Sequence, residues 1–260
     1  MRSLHGIYIM WYRDVLRFWR DRARMLTTLA MPVLYLVIFG TGIASIFKQE
    51  GFDYIAFMYP GIIAMVVIFG SIMTGVTVVF DREFGFLKEV LVAPISRTSV
   101  AVGKAMGGAT IASVQGVLML AFIPFAHVDI SVSRGFMLVG LMLLLSLTLT
   151  SVGLLIASRI RSMEAFQAVM NLLMFPLVFI SPIMFPVEQL PTWLGTIVKI
   201  NPVSYGVDAI RQSVMGSTAS APYGISLFGY RMSVILDVAV IATFGIIMLA
   251  LAIRSFRMQE

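Results

Sequence analysis

Apolar stretches separated by short charged segments dominate the pattern of this chain. Six stretches approach or exceed the ~20 residues with which an α-helix crosses the hydrocarbon core of a bilayer. No charged residue lies clearly in the middle third of any stretch, so each predicts a membrane-spanning helix. The predicted fold class is an all-α integral membrane protein with six transmembrane helices: Met25–Phe47, Tyr54–Phe80, Val102–Ala126, Gly135–Ala157, Ala165–Ile183 and Met232–Ile253.

Residues 1–24 predict an amphipathic helix that lies in the membrane interface. At 100° per residue, apolar side chains gather on roughly a third of the helix and arginines lie opposite them. The abundance of arginine and the lack of a clean apolar core exclude a signal peptide. Such a helix places its aromatic rings at the acyl boundary and its arginines among the headgroups. The apolar face comprises Leu4, Ile7, Tyr8, Trp11, Val15, Phe18 and Trp19, and the basic face Arg13, Arg17, Arg20 and Arg24.

Residues 81–104 form the longest charged interruption in the first half of the chain. Apolar positions recur there at i, i+3 and i+7, which favours a short helix over 85–92 with one apolar face. Pro94 disfavours helix at the residue before it and ends the segment. The segment is either a solvated connector or a docking element for another protein. The apolar positions are Phe84, Leu87 and Leu91, while Lys88 and Glu89 lie off that face.

The stretch between the last two predicted spans, residues 184–229, indicates short helices on the outer side. Prolines divide it into pieces such as Trp193–Ile200 and Tyr205–Met215, which are too short to cross a membrane. Because irregular backbone at membrane depth needs protein or a water-filled cavity beside it, we predict an extracellular re-entrant helix pair. Pro186, Pro202 and Tyr205 are predicted to shape a lid over a pathway, with Glu188 and Lys199 wetted at its rim and Arg211 accessible from outside.

Composition and charge agree with this topology. The chain has 260 residues, of which 59% are hydrophobic and 12% charged, about half the charged fraction of a soluble domain. Most of the 19 Lys and Arg residues fall on the side that carries both termini and the central charged segment. The positive-inside rule therefore places these in the cytoplasm and predicts a multi-pass protein of the cytoplasmic membrane. Orientation in the membrane explains the net charge of +6 without a nucleic-acid partner.

Several site chemistries are excluded by what the sequence lacks. It has no cysteine, only two histidines far apart, and no G-x-x-x-x-G-K-[ST] motif. A disulfide, a thiolate nucleophile and P-loop binding of ATP are therefore excluded, and neither a zinc site nor another cofactor site is expected. We find no catalytic constellation that would support a membrane-embedded enzyme.

The apolar interior of the spans suits a pathway for a hydrophobic or amphipathic cargo. A proton- or sodium-coupled carrier usually keeps a charged residue near the bilayer midplane, and none is evident here. Gln167 and Asn171 are four residues apart and share a helix face. They would either form an interhelical hydrogen bond or contact cargo. A secondary transporter or channel independent of ATP is the alternative function.

Two blocks of residues resemble the ABC-2-type transporter permeases, the membrane subunits of one class of ATP-driven exporters. The first block lies in the central charged segment, and the second precedes the last span. Span number and loop sizes extend the likeness over the whole chain. The matching residues are Asp81-Arg82-Glu83, Gly85, Ala93–Arg97 and Gly103-Lys104, then Asn201-Pro202, Tyr205, Asp208 and Arg211.

The resemblance implies that residues 1–260 form one permease domain that binds a separate ATPase. It implies two ATPase subunits that carry ATP and Mg²⁺, and a second permease, for which we expect a homodimer surrounded by membrane lipids. The implied cargo is a drug, a lipid or a lipid-linked glycan. The N-terminal helix is implied to help contact the ATPase, and the helix at 85–92 is predicted to couple to it. The predicted coupling residues are Glu83, Phe84, Leu87, Lys88, Glu89, Leu91 and Arg97.

Overall fold

A computed structural model describes residues 2–47, 53–84, 96–126, 128–160, 162–187, 190–217, 220–227 and 229–258. It confirms the all-α membrane fold. Within these ranges five helical segments are long and apolar enough to cross a membrane, and a further apolar helix has 17 residues. All six fall on predicted spans. The five are Met25–Gly42, Tyr54–Glu83, Arg97–Ala126, Val132–Arg159 and Val234–Arg257, and the shorter one is Met163–Phe179.

α-Helices make up most of the described residues. The helices are α1 (Arg2–Arg20), α2 (Arg22–Phe47), α3 (Tyr54–Ile72), α4 (Thr74–Glu83), α5 (Arg97–Met119), α6 (Ile123–Ala126), α7 (Val132–Arg159), α8 (Met163–Phe179), α9 (Thr192–Ile200), α10 (Pro202–Met215) and α11 (Val234–Arg257). Two 3₁₀ helices are Leu120–Phe122 and Ala221–Tyr223. Strands β1 (Ser226–Leu227) and β2 (Tyr230–Arg231) pair antiparallel, with Ser226 opposite Arg231.

Polar side chains directly before several helices determine where they begin. Asp53 accepts hydrogen bonds from the N–H groups of Ile55 and Ala56 at the start of α3. These groups have no partner inside the helix, so a side-chain acceptor stabilises its first turn. Ser96, Ser162, Asn201 and Ser233 play the same part for α5, α8, α10 and α11.

Helix α3 lies at the centre of the bundle. It contacts α2, α5, α7, α8 and α10, and most of its residues are buried. Helices α2 and α8 lie at the periphery and expose large apolar side chains, including Leu34, Ile38, Leu172 and Phe175. Exposed apolar surface of this kind suits contact with lipid or with another membrane subunit.

The outer segment contains the two short helices that the prolines predict, α9 and α10. Helix α10 packs against α3, α7 and α11 and is buried along most of its length, whereas α9 buries only Val198. The sequence analysis does not predict the β1–β2 hairpin that follows. Its turn contains Gly229 at φ +81°, a conformation that favours glycine.

The central charged segment differs from its predicted form. Helix α5 begins at Arg97, five residues before the predicted start of the third span, and α4 continues as far as Glu83. Asp81 and Lys104 therefore lie inside helices and are buried. The helices extend through these charges because the charges compensate each other, as described below. The predicted helix over 85–92 lies outside the described residues.

The topology can be tested because the chain has no native cysteine. Tyr230, in the hairpin, and Met258, after α11, are both well exposed and lie at opposite ends of the last span. We expect a cysteine at Tyr230 to react with a membrane-impermeant maleimide in intact protoplasts. A cysteine at Met258 should react only after permeabilisation. Reaction of both sites in intact protoplasts would contradict the predicted orientation.

Candidate functional site

The interfacial helix α1 packs directly on α5. A Cβ at Gly103 would lie 2.6 Å from the Met10 Cβ, and a Cβ at Gly107 would lie 3.2 Å from the Asp14 Cβ. Small residues four apart let two helices approach closely. The buried residues of α1 extend from the edge of its apolar face toward its basic face, and are Gly6, Met10, Asp14 and Phe18. The N-terminal helix is therefore part of the bundle.

A buried ion network joins α1, α4 and α5. The Lys104 ammonium, fully buried, lies 2.8 Å from the Asp81 Oδ2 and 3.9 Å from the Asp14 Oδ2. Arg13 donates to Asp14 at 2.9 Å and to Asp81 at 3.1 Å. Two cations thus face two carboxylates, and the set is neutral. A buried charge is stable only when it is paired in this way.

Arg13 remains charged in this network. Partial burial lowers the pKa of its guanidinium, but the carboxylates of Asp14 and Asp81 raise it by more, so that the pKa lies above its ordinary value. Arg13 therefore contributes its positive charge to the network throughout the physiological range of pH.

Arg82 and Glu83 connect the end of α4 to α7 and α8. Arg82 Nη1 donates to the carbonyls of Ala157, Ser158 and Ile160 at 3.2, 3.4 and 2.8 Å, which places a cation at the C-terminus of α7. The Glu83 Oε2 accepts from the Met163 N–H at 3.2 Å, which places an anion at the N-terminus of α8. Both charges complement the helix dipoles.

Of the seven predicted coupling residues, the structure describes three. Besides Glu83, Phe84 is exposed and packs on the Phe80 ring, with centroids 4.3 Å apart. Arg97 donates to the Arg257 carbonyl at 3.3 Å, at the end of α11. These residues border the predicted coupling helix in the sequence. Leu87, Lys88, Glu89 and Leu91 lie outside the described residues.

A cavity of about 960 Å³ lies between α2, α3, α5 and α8. It extends from the first turns of α2, near Thr27, to Met184 in the segment that follows α8. Its lining is largely apolar, with five methionines and the aromatic rings of Tyr35, Phe69, Phe175 and Phe179, and no residue that lines it is charged. A cavity of this size and polarity suits a drug- or lipid-sized molecule.

The two amides proposed as cargo contacts lie in different environments. Asn171 is part of the cavity lining, on α8. Gln167, one turn nearer the start of α8, is exposed and does not belong to that lining. Gln115, which the sequence analysis did not select, contributes a second amide to the lining from α5. The only sequence feature that marks Gln115 is its position as a polar residue within an otherwise apolar stretch.

The three predicted lid residues are held in the outer segment. Pro186 is buried two residues beyond Met184, at the outer end of the cavity. Pro202 begins α10, and the Asn201 amide before it donates to the Leu177 carbonyl at 3.3 Å. The Tyr205 hydroxyl donates to the Lys199 carbonyl at 2.6 Å, which joins α10 to α9. A lid function for these residues stays a prediction.

Arg211 is fully buried, so its predicted accessibility from outside is wrong. Its guanidinium lies 4.2 Å from the centre of the Phe57 ring and donates to the Pro182 carbonyl. On the same helix, Gln212 donates to Asp208 at 3.2 Å and to Asp237 of α11 at 3.1 Å. This polar cluster anchors α10 within the bundle. The sequence feature that indicates this cluster is the i, i+3 spacing of Asp208 and Arg211, which places both side chains on one face of the helix.

The apolar spans, the interfacial helix and the charge-free cavity define a polytopic membrane protein with the features of a permease. Residues 5–215 match the ABC-2 type transporter family. The chain belongs to that family and is a membrane subunit of an ABC transporter, in which ATP hydrolysis takes place on a separate subunit.

Named permeases are similar to most of the chain. The inner membrane transport permease YadH of Escherichia coli K12 is 27% identical over 249 residues, 92% of this chain and 87% of the relative. The ycf38 protein of Cyanophora paradoxa, named as a transport permease, is 27% identical over 234 residues, 86% and 79% of the two chains. YbhR of Escherichia coli K12, named as a multidrug ABC transporter permease, is 30% identical over 161 residues, 62% of this chain and 44% of the relative.

The buried ion network predicts a specific pattern of stability. Lys104→Met leaves Asp81 and Asp14 with too little positive charge and should destabilise the protein by about 3–5 kcal/mol. Asp81→Asn should act similarly. The double variant should lose less free energy of unfolding than the two single variants lose together, because it leaves neither buried charge without its partner. Thermal unfolding in detergent measures the stability of each variant. Additive losses of stability would contradict the network, as would a Lys104→Met variant as stable as wild type.

Proposed function

We propose that the chain is the permease subunit of an ATP-driven exporter in the cytoplasmic membrane. The cavity between α2, α3, α5 and α8 would form part of the pathway for a hydrophobic or amphipathic cargo. The observation that carries this proposal is the volume of about 960 Å³ combined with an uncharged, mostly apolar lining. The cavity extends through much of the bundle, from Thr27 to Met184, which suits a pathway between the two membrane surfaces.

A second permease would complete the wall of this pathway. Helices α2 and α8 border the cavity and expose Leu34, Ile38, Leu172 and Phe175. A symmetric partner that packed on these faces would enclose the space between them. We therefore propose a homodimer that binds two ATPase subunits, each with ATP and Mg²⁺.

The uncharged lining favours this function over an ion-coupled carrier. Such a carrier keeps an ionisable residue on the substrate path, where protonation or sodium binding drives transport. Among the described residues, the buried charges lie instead in the network around Lys104 and in the cluster around Arg211. Neither group contributes to the cavity lining. The energy for transport would therefore come from the ATPase.

Movement of the ATPase would reach the cavity through the cytoplasmic ends of α4 and α5. These ends flank the predicted coupling helix in the sequence, and each forms hydrogen bonds or ion pairs with other helices. Arg82 and Glu83 hold the ends of α7 and α8, and Lys104 holds α1 and α4. Since α3, α5 and α8 line the cavity, displacement of these helix ends would change the shape of the cavity.

The coupling helix can be tested through Leu87. Leu87→Asp places a charge on the predicted apolar face and should weaken ATPase association by about 2 kcal/mol or more, roughly thirtyfold. Arg97→Glu, outside that face, is the matched control and should have a much smaller effect. Binding of the purified ATPase to permease nanodiscs measures the affinity of both variants. Both variants should insert into the membrane normally. Unchanged binding and transport in Leu87→Asp would refute the coupling role.

A further inference from the structure

We propose that a groove between the C-terminal ends of α7 and α11 binds an anionic phospholipid, with Arg159 and Arg254 on its phosphate and apolar side chains along its acyl chain. The groove is separate from the cavity between α2, α3, α5 and α8, because the two have no lining residue in common. The inference goes beyond the proposed function and does not depend on the cargo.

Helices α7 and α11 run in the same direction and end at the same level. Thr148 of α7 donates to the Ile241 carbonyl of α11 at 3.4 Å, and near the helix ends the Ser158 and Ser255 hydroxyls lie 2.7 Å apart. A groove of about 580 Å³ lies between the last turns of the two helices. Two arginines and one serine line it, every other lining residue is apolar, and none is acidic.

The positive charge of this groove is not neutralised by the described part of the chain. There, the ion pairs all belong to the network of Arg13, Asp14, Asp81 and Lys104. The Arg159 Nε donates to the Ser255 Oγ at 2.9 Å, which fixes the guanidinium in the groove and leaves both of its terminal nitrogens without a hydrogen-bond partner among the described residues.

The second arginine is equally available. The side chain of Arg254 is exposed and forms no hydrogen bond with a described residue. Guanidinium groups bind phosphate oxygens through two parallel N–H donors, which makes arginine the preferred residue for phosphate. The groove therefore presents two phosphate-binding side chains that the described part of the protein does not use.

Neither arginine is needed to stabilise the end of its own helix. An arginine near a helix C-terminus often binds the last carbonyls, which lack partners inside the helix. Here Arg82 of α4 already donates to the carbonyls of Ala157, Ser158 and Ile160. At the end of α11, Arg97 donates to the carbonyl of Arg257. Capping therefore does not account for the two arginines of the groove.

The order of side chains along the groove matches a phospholipid better than a soluble anion. Leu155 and Ile156 precede Arg159 by about one helical turn, and Leu251 precedes Arg254 in the same way. The apolar part of the groove therefore lies inside the spans and the cations lie at their ends, where lipid headgroups are found. A soluble anion would use the arginines alone and leave the apolar walls unoccupied.

Native mass spectrometry of the full chain in detergent, without the ATPase, tests the inference. Dioleoyl phosphatidylglycerol and dioleoyl phosphatidylcholine are the probes, since they share acyl chains and differ in net charge. Wild type should bind the first phosphatidylglycerol about ten- to thirtyfold more tightly than phosphatidylcholine. Arg159→Gln and Arg254→Gln should each lose about fivefold of this preference, and the double variant nearly all of it. Equal affinity of wild type for the two lipids would overturn the proposal.

Arg257→Gln is the matched control. It removes the same charge from the next turn of α11, but Arg257 lies outside the groove and donates to Thr98 at 3.0 Å. This variant should keep the lipid preference of wild type. An equal loss in Arg257→Gln would show that net charge, and not the groove, attracts the lipid, and would overturn the proposal.

Two further measurements separate the lipid from other occupants. Inorganic phosphate in large excess should displace little phosphatidylglycerol, because it cannot contact the apolar walls. Displacement at concentrations similar to that of the lipid would overturn the assignment to a lipid. Weaker ATPase binding by the double variant, with unchanged lipid binding, would instead assign the groove to the ATPase and overturn the proposal. A failure of cargo transport would refute the proposed function and leave the lipid result unaffected.

Discussion

The pairing of Lys104 with Asp81 is the interaction on which the arrangement of α1, α4 and α5 depends. A fully buried ammonium must have a counter-charge within a few ångströms, and α4 supplies it at 2.8 Å. The same carboxylate also holds Arg13 of α1. The helices α1, α4 and α5 are therefore held in one arrangement. The glycines at 103 and 107 make this possible, because they let α1 approach α5 closely enough for Asp14 to join the network.

Charge and apolar surface are separated along the bundle, and this separation sets the character of the cavity. Ionic contacts join the helix ends near α1, and a second polar cluster around Arg211 anchors α10. The cavity between them has an uncharged lining. Two anchored regions with a largely apolar region between them suit the membrane subunit of an ABC transporter.

Much of the fold follows from the sequence, since six apolar runs predict the six helical segments and prolines predict the break between α9 and α10. The contacts between helices do not follow from the same pattern. Lys104 was assigned to a charged loop because its partner Asp81 is 23 residues away and its neighbour Asp14 is 90 residues away. Arg211 was expected to be accessible because a cation in an outer segment is usually solvated, but the Phe57 ring and the Pro182 carbonyl stabilise it inside.

The candidate site shows the same limit of sequence patterns. Asn171 was selected as a polar residue within a span, and it does line the cavity. Gln115 has an equally simple sequence signal, but only the structure shows that its oxygen is buried and unpaired. Gly70 is one of 21 glycines, and the space that it leaves for the Gln115 oxygen depends on the packing of α3 on α5.

Hydrogen–deuterium exchange of α1 tests the central claim, that the buried network binds the interfacial helix into the bundle. In wild-type nanodiscs the amides of α1 should be protected to a similar degree as those of the first turns of α5. In Asp81→Asn both regions should lose protection together, while α10 stays unchanged. Rapid exchange of α1 in wild type, or full protection of α1 in Asp81→Asn, would contradict the account.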